Sequence, residues 1–316
     1  MENNQVSSKV SSKKIVAIVL AAILVVGIIV GVFIGINAHQ KNVVSEEVKK
    51  TCGEPIKVVA TVNQWGSLAK SVGGDCVQVD TIISGTGIDP HDYEPTADDI
   101  SRISNADIII ANGLDYDDWA TKSITTDQNH YLFDIGDTLG KKAGDNPHLW
   151  YDPNNLQYVI ETLHDLYKNR TDLDSAKKAF DESYKAVSSR MTDLTNKIWQ
   201  DSSNTNGKNY AASETVANYL AEAMGMENKT PENYKNAAEN GSETSPQDLN
   251  TFLSILKNKE VDFLFYNTQE TTSMTDQIKT TAEDAGVKII DVTEQKPDNF
   301  TDTIDWISSI VDNIIA

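Results

Sequence analysis

Short apolar runs that alternate with amphipathic segments constrain the fold of this 316-residue chain most strongly. These runs have the length and composition of buried strands, and helical patterns lie between them. The runs occupy residues 56–62, 77–83, 107–111 and 131–134 in the first half and residues 210–212, 263–266 and 288–292 in the second. Alternation of this kind predicts parallel sheets, so we expect an α/β protein with two lobes.

A single long helical pattern separates the two halves. Apolar residues form one stripe between Ser175 and Trp199, and charged residues occupy the opposite face. A coiled-coil segment has the same pattern, but a helix between two α/β halves favours a rigid backbone that joins the lobes. We therefore expect the following segments: 1–14, 15–36, 37–54, an N-terminal lobe at 55–172, a connecting helix at 173–202 and a C-terminal lobe at 203–316.

The N-terminus predicts export. Ile15 to Ile36 is a run of 22 residues without a charged side chain, and as a helix it would be about 33 Å long, enough to cross a bilayer. Lysines precede the run, which places residue 40 onward outside the cell. We expect an uncleaved transmembrane anchor followed by a polar tether at 37–54; a signal cleaved near Ala38 is the alternative.

Two cysteines, Cys52 and Cys76, lie in the exported part. An extracellular location permits a disulfide, and the bond would join the regions where the first two strands begin. No cysteine directly follows the apolar run in the setting of a lipid attachment site. Two buried free thiols are the alternative.

The composition is strongly acidic. There are 27 Lys and Arg against 47 Asp and Glu, a net charge of −20. This balance argues against binding of nucleic acid or of an anionic membrane surface by the body of the protein. It favours a cation as ligand.

Two loops place a histidine directly after a proline and close to carboxylates. The first is Asp89-Pro90-His91-Asp92-Tyr93-Glu94-Pro95-Thr96, and the second is Asn146-Pro147-His148-Leu149-Trp150-Tyr151-Asp152-Pro153. Proline restricts the backbone before each imidazole, which suits a metal ligand. Each loop follows a predicted strand, and ligands of parallel sheets bind beyond the carboxyl ends of the strands. We therefore expect His91 and His148 to lie close together.

The second half has glutamates at the corresponding places. Glu214 follows the strand at 210–212, and Glu294 lies two residues after the strand at 288–292. Both would face a cleft between opposed lobes.

These four motifs resemble those of the metal-binding substrate-binding proteins of manganese/zinc ABC importers, and the resemblance covers about residues 55–316. It implies two α/β lobes joined by a rigid helix with one divalent ion between them. By this resemblance His91 and His148 are ligands from the first lobe, and Glu214 and Glu294 are ligands from the second. The family often has Asp where Asn146 stands and commonly has Asp as its last ligand, so Gln269 or Asp291 remains an alternative to Glu294.

The donor set favours Mn²⁺ over Zn²⁺ as the cargo. Two imidazoles and two carboxylates form a harder set of metal ligands than three imidazoles do. The chain also has only five histidines and no histidine-rich tract. Zn²⁺ nevertheless binds most nitrogen and oxygen sites more tightly.

The function we expect is that of an extracellular receptor without enzymatic activity, which delivers the metal to an ABC permease and its ATPase. Two alternatives are a metal-dependent hydrolase and a surface adhesin with a structural metal. No His-Glu-x-x-His or Gly-x-Ser-x-Gly motif is present to support hydrolysis.

Overall fold

The computed structural model describes residues 46–85, 87–124, 130–239 and 242–316. The chain divides into two units, Met1–Thr51 and Cys52–Ala316. The anchor predicted at 15–36 lies outside the described residues, as do residues 1–14. Within the described ranges, no helix has the length and apolar character needed to cross a bilayer.

The predicted tether is not entirely irregular. Residues 46–52 form a short helix. Its sequence places Glu46 and Glu47 three residues before Lys49 and Lys50, a spacing that brings opposite charges together on a helix surface.

The first sheet contains four parallel strands in the order β2-β1-β3-β4. The strands are β1 (Ile56–Val62), β2 (Val77–Ile83), β3 (Ile108–Ala111) and β4 (Tyr131–Asp134). The accompanying helices are α1 (Asn63–Gly73), α2 (Ala97–Ser104), α3 (Asp118–Lys122), α4 (Ile135–Thr138) and α5 (Pro153–Asn169). We call this sheet with its helices the first lobe.

The second sheet is also parallel and has the order β6-β5-β7-β8. Its strands are β5 (Asn209–Ala212), β6 (Glu227–Asn228), β7 (Phe263–Asn267) and β8 (Lys288–Val292). Between the strands lie α7 (Asn218–Ala223), α8 (Glu232–Glu239), α9 (Pro246–Lys257) and α10 (Ser273–Ala285). We call this sheet with these helices the second lobe. The prediction of an α/β fold with two parallel sheets is confirmed.

The long helix α6 (Asp174–Thr205) joins the two lobes and has 32 residues. The sequence predicts a connecting helix at 173–202, with its apolar stripe ending near Trp199, but the helix continues to Thr205. The Thr205 hydroxyl donates to the carbonyl oxygen of Met224 at 2.6 Å, and Gly207 has a left-handed φ of 77°. A buried tertiary contact thus holds the last turn. The final helix α11 (Thr303–Ile315) packs against α6.

Cys52 and Cys76 form a disulfide whose Cα atoms are 5.1 Å apart. Cys52 precedes β1, and Cys76 directly precedes β2. The predicted bond therefore joins the beginnings of two neighbouring strands, at the edge opposite the histidine loops.

Candidate metal site

His148 lies after α4, at the carboxyl edge of the first sheet. The Asn146 side-chain oxygen accepts hydrogen bonds from the His148 backbone N–H at 3.0 Å and from Nδ1 at 2.7 Å. An amide oxygen only accepts, so Nδ1 carries the proton and Nε2 keeps its lone pair. His148 is 7% exposed, and within the described residues Nε2 has no hydrogen-bond partner. This nitrogen is ready to bind a cation.

Asn146 also contacts the second lobe. Its side-chain nitrogen donates to the carbonyl oxygen of Thr215 at 2.8 Å, and this contact fixes which end of the amide faces His148. The Tyr219 hydroxyl donates to the Asn146 carbonyl oxygen at 3.0 Å. A residue that orients a ligand histidine is thus linked to the segment that follows Glu214.

His91 lies in the loop after β2 and is exposed. Its backbone N–H donates to the Asp89 carboxylate at 2.8 Å, a local turn that stiffens the approach to the imidazole. The ring stands edge-on to the ring of Tyr116, with centroids 4.8 Å apart. The Trp119 indole N–H donates to the carbonyl oxygen of Pro90 at 3.2 Å and fixes the loop from the other side.

Tyr116 connects the predicted ligands, and sequence reasoning missed it. It is fully buried, and its ring centroid lies 6.3 Å from that of His148. Its hydroxyl donates to Glu294 Oε2 at 3.4 Å. Burial, and then the charge of Glu294, raises the pKa of Tyr116 well above its ordinary value. The available signal was its position shortly after β3, at the edge where the histidines were expected.

Glu294 lies beside His148. The distance from its Oε1 to His148 Nε2 is 3.9 Å. Burial alone would raise the pKa of Glu294, but His148 and then His91 lower it below its ordinary value. Glu294 is therefore held as a carboxylate next to the two imidazoles.

Glu214 has the opposite electrostatic setting. Burial raises the pKa of this carboxyl to about 8, although its hydrogen bond from Asn267 opposes the shift. The charges of Glu270, Glu294 and Asp89 raise it further. The Asn267 amide donates to Glu214 Oε2 at 2.6 Å. Without a cation, Glu214 is largely protonated at neutral pH.

The two alternatives to Glu294 have other contacts. The Gln269 side-chain oxygen accepts the backbone N–H groups of Glu294 at 2.6 Å and Gln295 at 3.1 Å. The Asp291 side chain is 61% exposed and lies 3.3 Å from Lys279 Nζ. These contacts favour Glu294 over either residue as the fourth ligand.

The four predicted ligands lie at one edge but do not form a closed cluster. Throughout the described residues, no three His, Cys, Asp or Glu side chains meet closely enough to hold a metal ion as they stand. His148 and Glu294 are adjacent. His91 lowers the pKa of Glu294, and Glu294 raises the pKa of Glu214. Binding at all four ligands therefore requires that the side chains approach one another further.

The buried side chain of Asn112 holds the second histidine loop in place. The Asn112 side-chain nitrogen donates to the carbonyl oxygen of Pro147 at 3.0 Å, and the Trp65 indole N–H donates to the Asn112 side-chain oxygen at 3.0 Å. The carboxylate of Asp117 accepts the Asn112 backbone N–H at 2.6 Å. Burial raises the pKa of Asp117 to about 6 despite its hydrogen bonds.

Comparison with known proteins identifies the family. Residues 58–316 match the family model described as ZnuA, zinc-uptake complex component A periplasmic. The chain belongs to this family. The match confirms the resemblance to metal-binding substrate-binding proteins of ABC importers.

Two curated relatives are similar over most of their length. The iron ABC transporter substrate-binding lipoprotein MtsA of Streptococcus pyogenes serotype M1 is 26% identical over 278 residues, 82% of this chain and 84% of that protein. The manganese ABC transporter substrate-binding lipoprotein PsaA of Streptococcus pneumoniae is 26% identical over 261 residues, 76% of this chain and 80% of that protein. Both are named as substrate-binding proteins of ABC transporters and not as enzymes. The family of uptake-complex components to which this chain belongs gives the hydrolase alternative no support.

A solved structure has the same fold. The periplasmic zinc-binding protein TroA of Treponema pallidum superposes with a TM-score of 0.68 at 18% identity, over 83% of this chain and 98% of TroA.

Proposed function

We propose that this chain captures a divalent transition metal outside the cell and delivers it to a membrane permease driven by an ATPase. The ligands are His91, His148, Glu214 and Glu294. The observation that carries the proposal is the buried Nε2 of His148, which has no partner within the described residues and lies 3.9 Å from Glu294 Oε1.

The two lobes supply complementary donors. His148 presents a nitrogen lone pair because Asn146 fixes the proton on the other ring nitrogen. Glu294 is held charged by the imidazoles, and Glu214 is held protonated by burial and neighbouring carboxylates. A divalent cation stabilises both carboxylates in their charged form, so the site gains most from an ion that binds all four groups.

Mn²⁺ is the favoured cargo, with Zn²⁺ next. Two carboxylates and two imidazoles form a donor set with more hard oxygen character than a site of three histidines. The names of the relatives include manganese for PsaA, iron for MtsA and zinc for TroA. These names support a transition metal as the class of cargo.

The family also supports the location and the partners. Substrate-binding proteins of ABC importers act with a permease and an ATPase, and MtsA and PsaA are named as lipoproteins. In this chain Cys52 is bonded to Cys76, so its sulfur is not available for lipid attachment. Membrane attachment through the apolar run at 15–36 stays a prediction.

Metal titration tests this proposal. The purified full chain is stripped with chelator and titrated with Mn²⁺ and Zn²⁺, beside a variant carrying His91→Ala and His148→Ala. We expect one reversible ion per chain, lost in the double variant. His164→Ala is the matched control, because His164 pairs with Asp181 on the helices α5 and α6 and its loss leaves binding unchanged. No stoichiometric uptake by the unaltered chain contradicts the proposal.

A further inference from the structure

Glu294 follows a strand of the second lobe, yet its segment is fastened to the first lobe. We call residues 293–302, between β8 and α11, the crossing segment. Asn63, the first residue of α1, makes a reciprocal amide pair with it: the Asn63 side-chain nitrogen donates to the Lys296 carbonyl oxygen at 2.7 Å, and its side-chain oxygen accepts the Lys296 N–H at 3.0 Å. Both bonds are buried and so are shielded from competition by water.

Further contacts continue this attachment at both ends of the crossing segment. The Tyr151 hydroxyl donates to the Thr293 carbonyl oxygen at 2.7 Å. At the other end, the Ser71 hydroxyl donates to the fully buried Asp302 at 2.7 Å, and Arg190 of α6 binds both carboxylate oxygens of Asp302 at 2.7 Å. Thr303 donates to the Gln64 carbonyl oxygen at 2.6 Å.

The crossing segment is also braced internally. Lys296 is 7% exposed, and its ammonium group donates to the carbonyl oxygens of Pro297 at 3.1 Å and Phe300 at 2.9 Å. The Thr293 hydroxyl donates to the Gln295 carbonyl oxygen at 2.9 Å. These internal bonds stiffen the crossing segment. The hydrogen bonds between Asn63 and Lys296 therefore also restrict the position of Glu294, which lies two residues before Lys296.

Glu214 is attached to the second lobe instead. Asn267 of β7 holds its carboxylate, and the Asn267 N–H donates to the Ser213 hydroxyl at 2.9 Å. Contacts from the first lobe to the segment after Glu214 include the two hydrogen bonds of Asn146 with Thr215 and Tyr219. Lys141 Nζ also lies 5.0 Å from the centre of the Tyr219 ring. These contacts lie at a partly exposed boundary.

Gln269 links the crossing segment to Asn267, the residue of the second lobe that holds Glu214. Its side-chain oxygen accepts the N–H groups of Glu294 and Gln295, and its own N–H donates to the Asn267 side-chain oxygen at 3.0 Å. A separation of the lobes must break either these contacts or the buried Asn63 pair with its neighbouring bonds. The hydrogen bonds at Gln269 are only partly buried, whereas both bonds of the Asn63 pair are buried.

We propose that Asn63 is a positioning residue that fixes Glu294 to the first lobe, so that Glu214 is the ligand withdrawn when the lobes separate. The inference rests on the proposed function and deepens it. The four ligands then divide as three that stay together, His91, His148 and Glu294, and one that leaves. Release becomes the loss of Glu214 from an otherwise intact group.

Distances between spin labels test the division. Ser101 on α2, Asn299 in the crossing segment and Lys257 on α9 are all exposed, and the two native cysteines are bonded to each other. One full-length protein carries labels at Ser101→Cys and Asn299→Cys, and another carries them at Ser101→Cys and Lys257→Cys. Zn²⁺ is the added metal because it is diamagnetic, and its uptake by each labelled chain is measured first.

The first pair is expected to keep its distance when Zn²⁺ binds, and the second is expected to shift by more than about 2 Å, the scale of a lobe rearrangement. In Asn63→Ala the first distance becomes dependent on Zn²⁺, and Zn²⁺ dissociates about 10-fold faster, as for loss of other groups that orient ligands. Asn63→Asp keeps the acceptor for the Lys296 N–H and partly restores both properties.

Asn155→Ala is the matched control. Asn155 is a first-lobe amide with the same 7% exposure as Asn63, and it donates to the Leu149 carbonyl oxygen rather than to the crossing segment. Its loss therefore leaves the Ser101–Asn299 distance independent of Zn²⁺.

Three results would overturn the inference alone: both distances change together on Zn²⁺ binding, neither distance changes, or Asn63→Ala leaves the first distance fixed. If neither the labelled chain nor the unaltered chain takes up Zn²⁺, the proposed function is contradicted and the inference fails with it.

Discussion

A glutamate follows the carboxyl end of β5 and another follows that of β8, but the two carboxyl groups differ in charge. Glu294 meets His148 and His91, and its pKa lies below the ordinary value in spite of burial. Glu214 meets other carboxylates, and burial brings its pKa to about 8. Glu294 has imidazole neighbours that favour its charged form. Glu214 has an amide and other carboxylates as neighbours, and burial disfavours its charged form.

This difference shows what a cation adds. Glu294 already has His148 and His91 as favourable neighbours. A metal bound to Glu294 would therefore replace one favourable partner with another. At Glu214 a bound metal would displace a proton and offset the repulsion from Glu270 and Glu294 that the ionised carboxylate would otherwise meet. Under the proposed ligand set, metal binding is thus coupled most strongly to Glu214.

Removal of both imidazoles has the largest expected effect. In the His91→Ala, His148→Ala variant we expect metal affinity to fall by more than about 100-fold, since loss of groups that merely orient ligands already costs 10–100-fold. The pKa of Glu294 rises toward that of Glu214, because the groups that lower it are gone. Titration calorimetry measures the affinity, and NMR of the glutamate carboxyl carbons measures the pKa. An unchanged pKa of Glu294 would break the comparison.

The two glutamates are expected to respond differently to neutralisation. Glu214→Gln and Glu294→Gln each weaken metal binding, by about 10-fold or more. In the metal-free protein only Glu294→Gln is expected to be destabilising at neutral pH, because Glu294 is the carboxyl whose charged form His148 and His91 favour. Chemical denaturation at pH 7 measures this stability, and equal destabilisation by both substitutions contradicts the assignment.

The stability of the metal-free protein provides a related test through pH. The folded pKa of Glu214 is raised from 4.5 to about 8, so its contribution to stability is fully present below about pH 4.5 and is lost as the pH rises through 8. Glu294 has a lowered pKa, so its contribution is present at neutral pH and is lost on acidification. We expect Glu214→Gln to flatten the decline between about pH 4.5 and 8, measured by denaturant titration in chelator. Asp291→Asn, at an exposed position, leaves the decline unchanged.

Asn146 is expected to have an intermediate effect because it contacts both sides. Asn146→Ala removes the acceptor that keeps the proton on His148 Nδ1, and we expect affinity to fall by about 10-fold. Asn146→Asp keeps that acceptor and restores much of the affinity, although it loses the donor to Thr215. Competition with a metal indicator gives the affinities. No difference between Ala and Asp at this position would remove Asn146 from the account.

The disulfide is expected to affect binding least. Cys52 and Cys76 are separated by 24 residues, and reduction of such a loop destabilises a protein by roughly 3 kcal/mol. The bond lies at the edge of the first sheet opposite both glutamates, so reduction leaves metal affinity within about twofold. Thermal unfolding and metal titration with and without reductant check both points. A large loss of affinity would mean that the site depends on the packing at the far edge.

The strands and their order along the chain can be predicted because they are nearly continuous apolar runs. The sequence predicts a strand at 288–292, and β8 is observed at Lys288–Val292. In contrast, the two-residue strand β6 and the helix α8 lie in a polar stretch whose pattern predicts no element. Strand β6 pairs with β5 through its backbone, and backbone pairing leaves little trace in side-chain pattern.

The four candidate ligands can be found because each follows an apolar strand, at the carboxyl edge of the first sheet for the histidines and of the second sheet for the glutamates. The residues that position them cannot be found in this way. Asn63 contacts Lys296 across 233 positions of sequence, and the sequence does not show that the crossing segment returns to the first lobe. Tyr116 follows three residues with positive φ, Gly113 to Asp115, two of which are not glycine. That turn brings Tyr116 into the site, and local hydrogen bonds help to hold it: the Tyr116 N–H donates to the Gly113 carbonyl oxygen at 3.2 Å, and the Gly113 N–H donates to the Asp117 carboxylate at 2.9 Å.

Calorimetric titration of the chelator-stripped full chain with Mn²⁺ at pH 7, in two buffers with different heats of ionisation, tests the central claim most directly. The account predicts one ion per chain and release of about one proton per ion, because Glu214 must lose its proton to bind. Glu214→Gln should abolish that release. Binding without proton release, or with the same release in Glu214→Gln, would contradict the account.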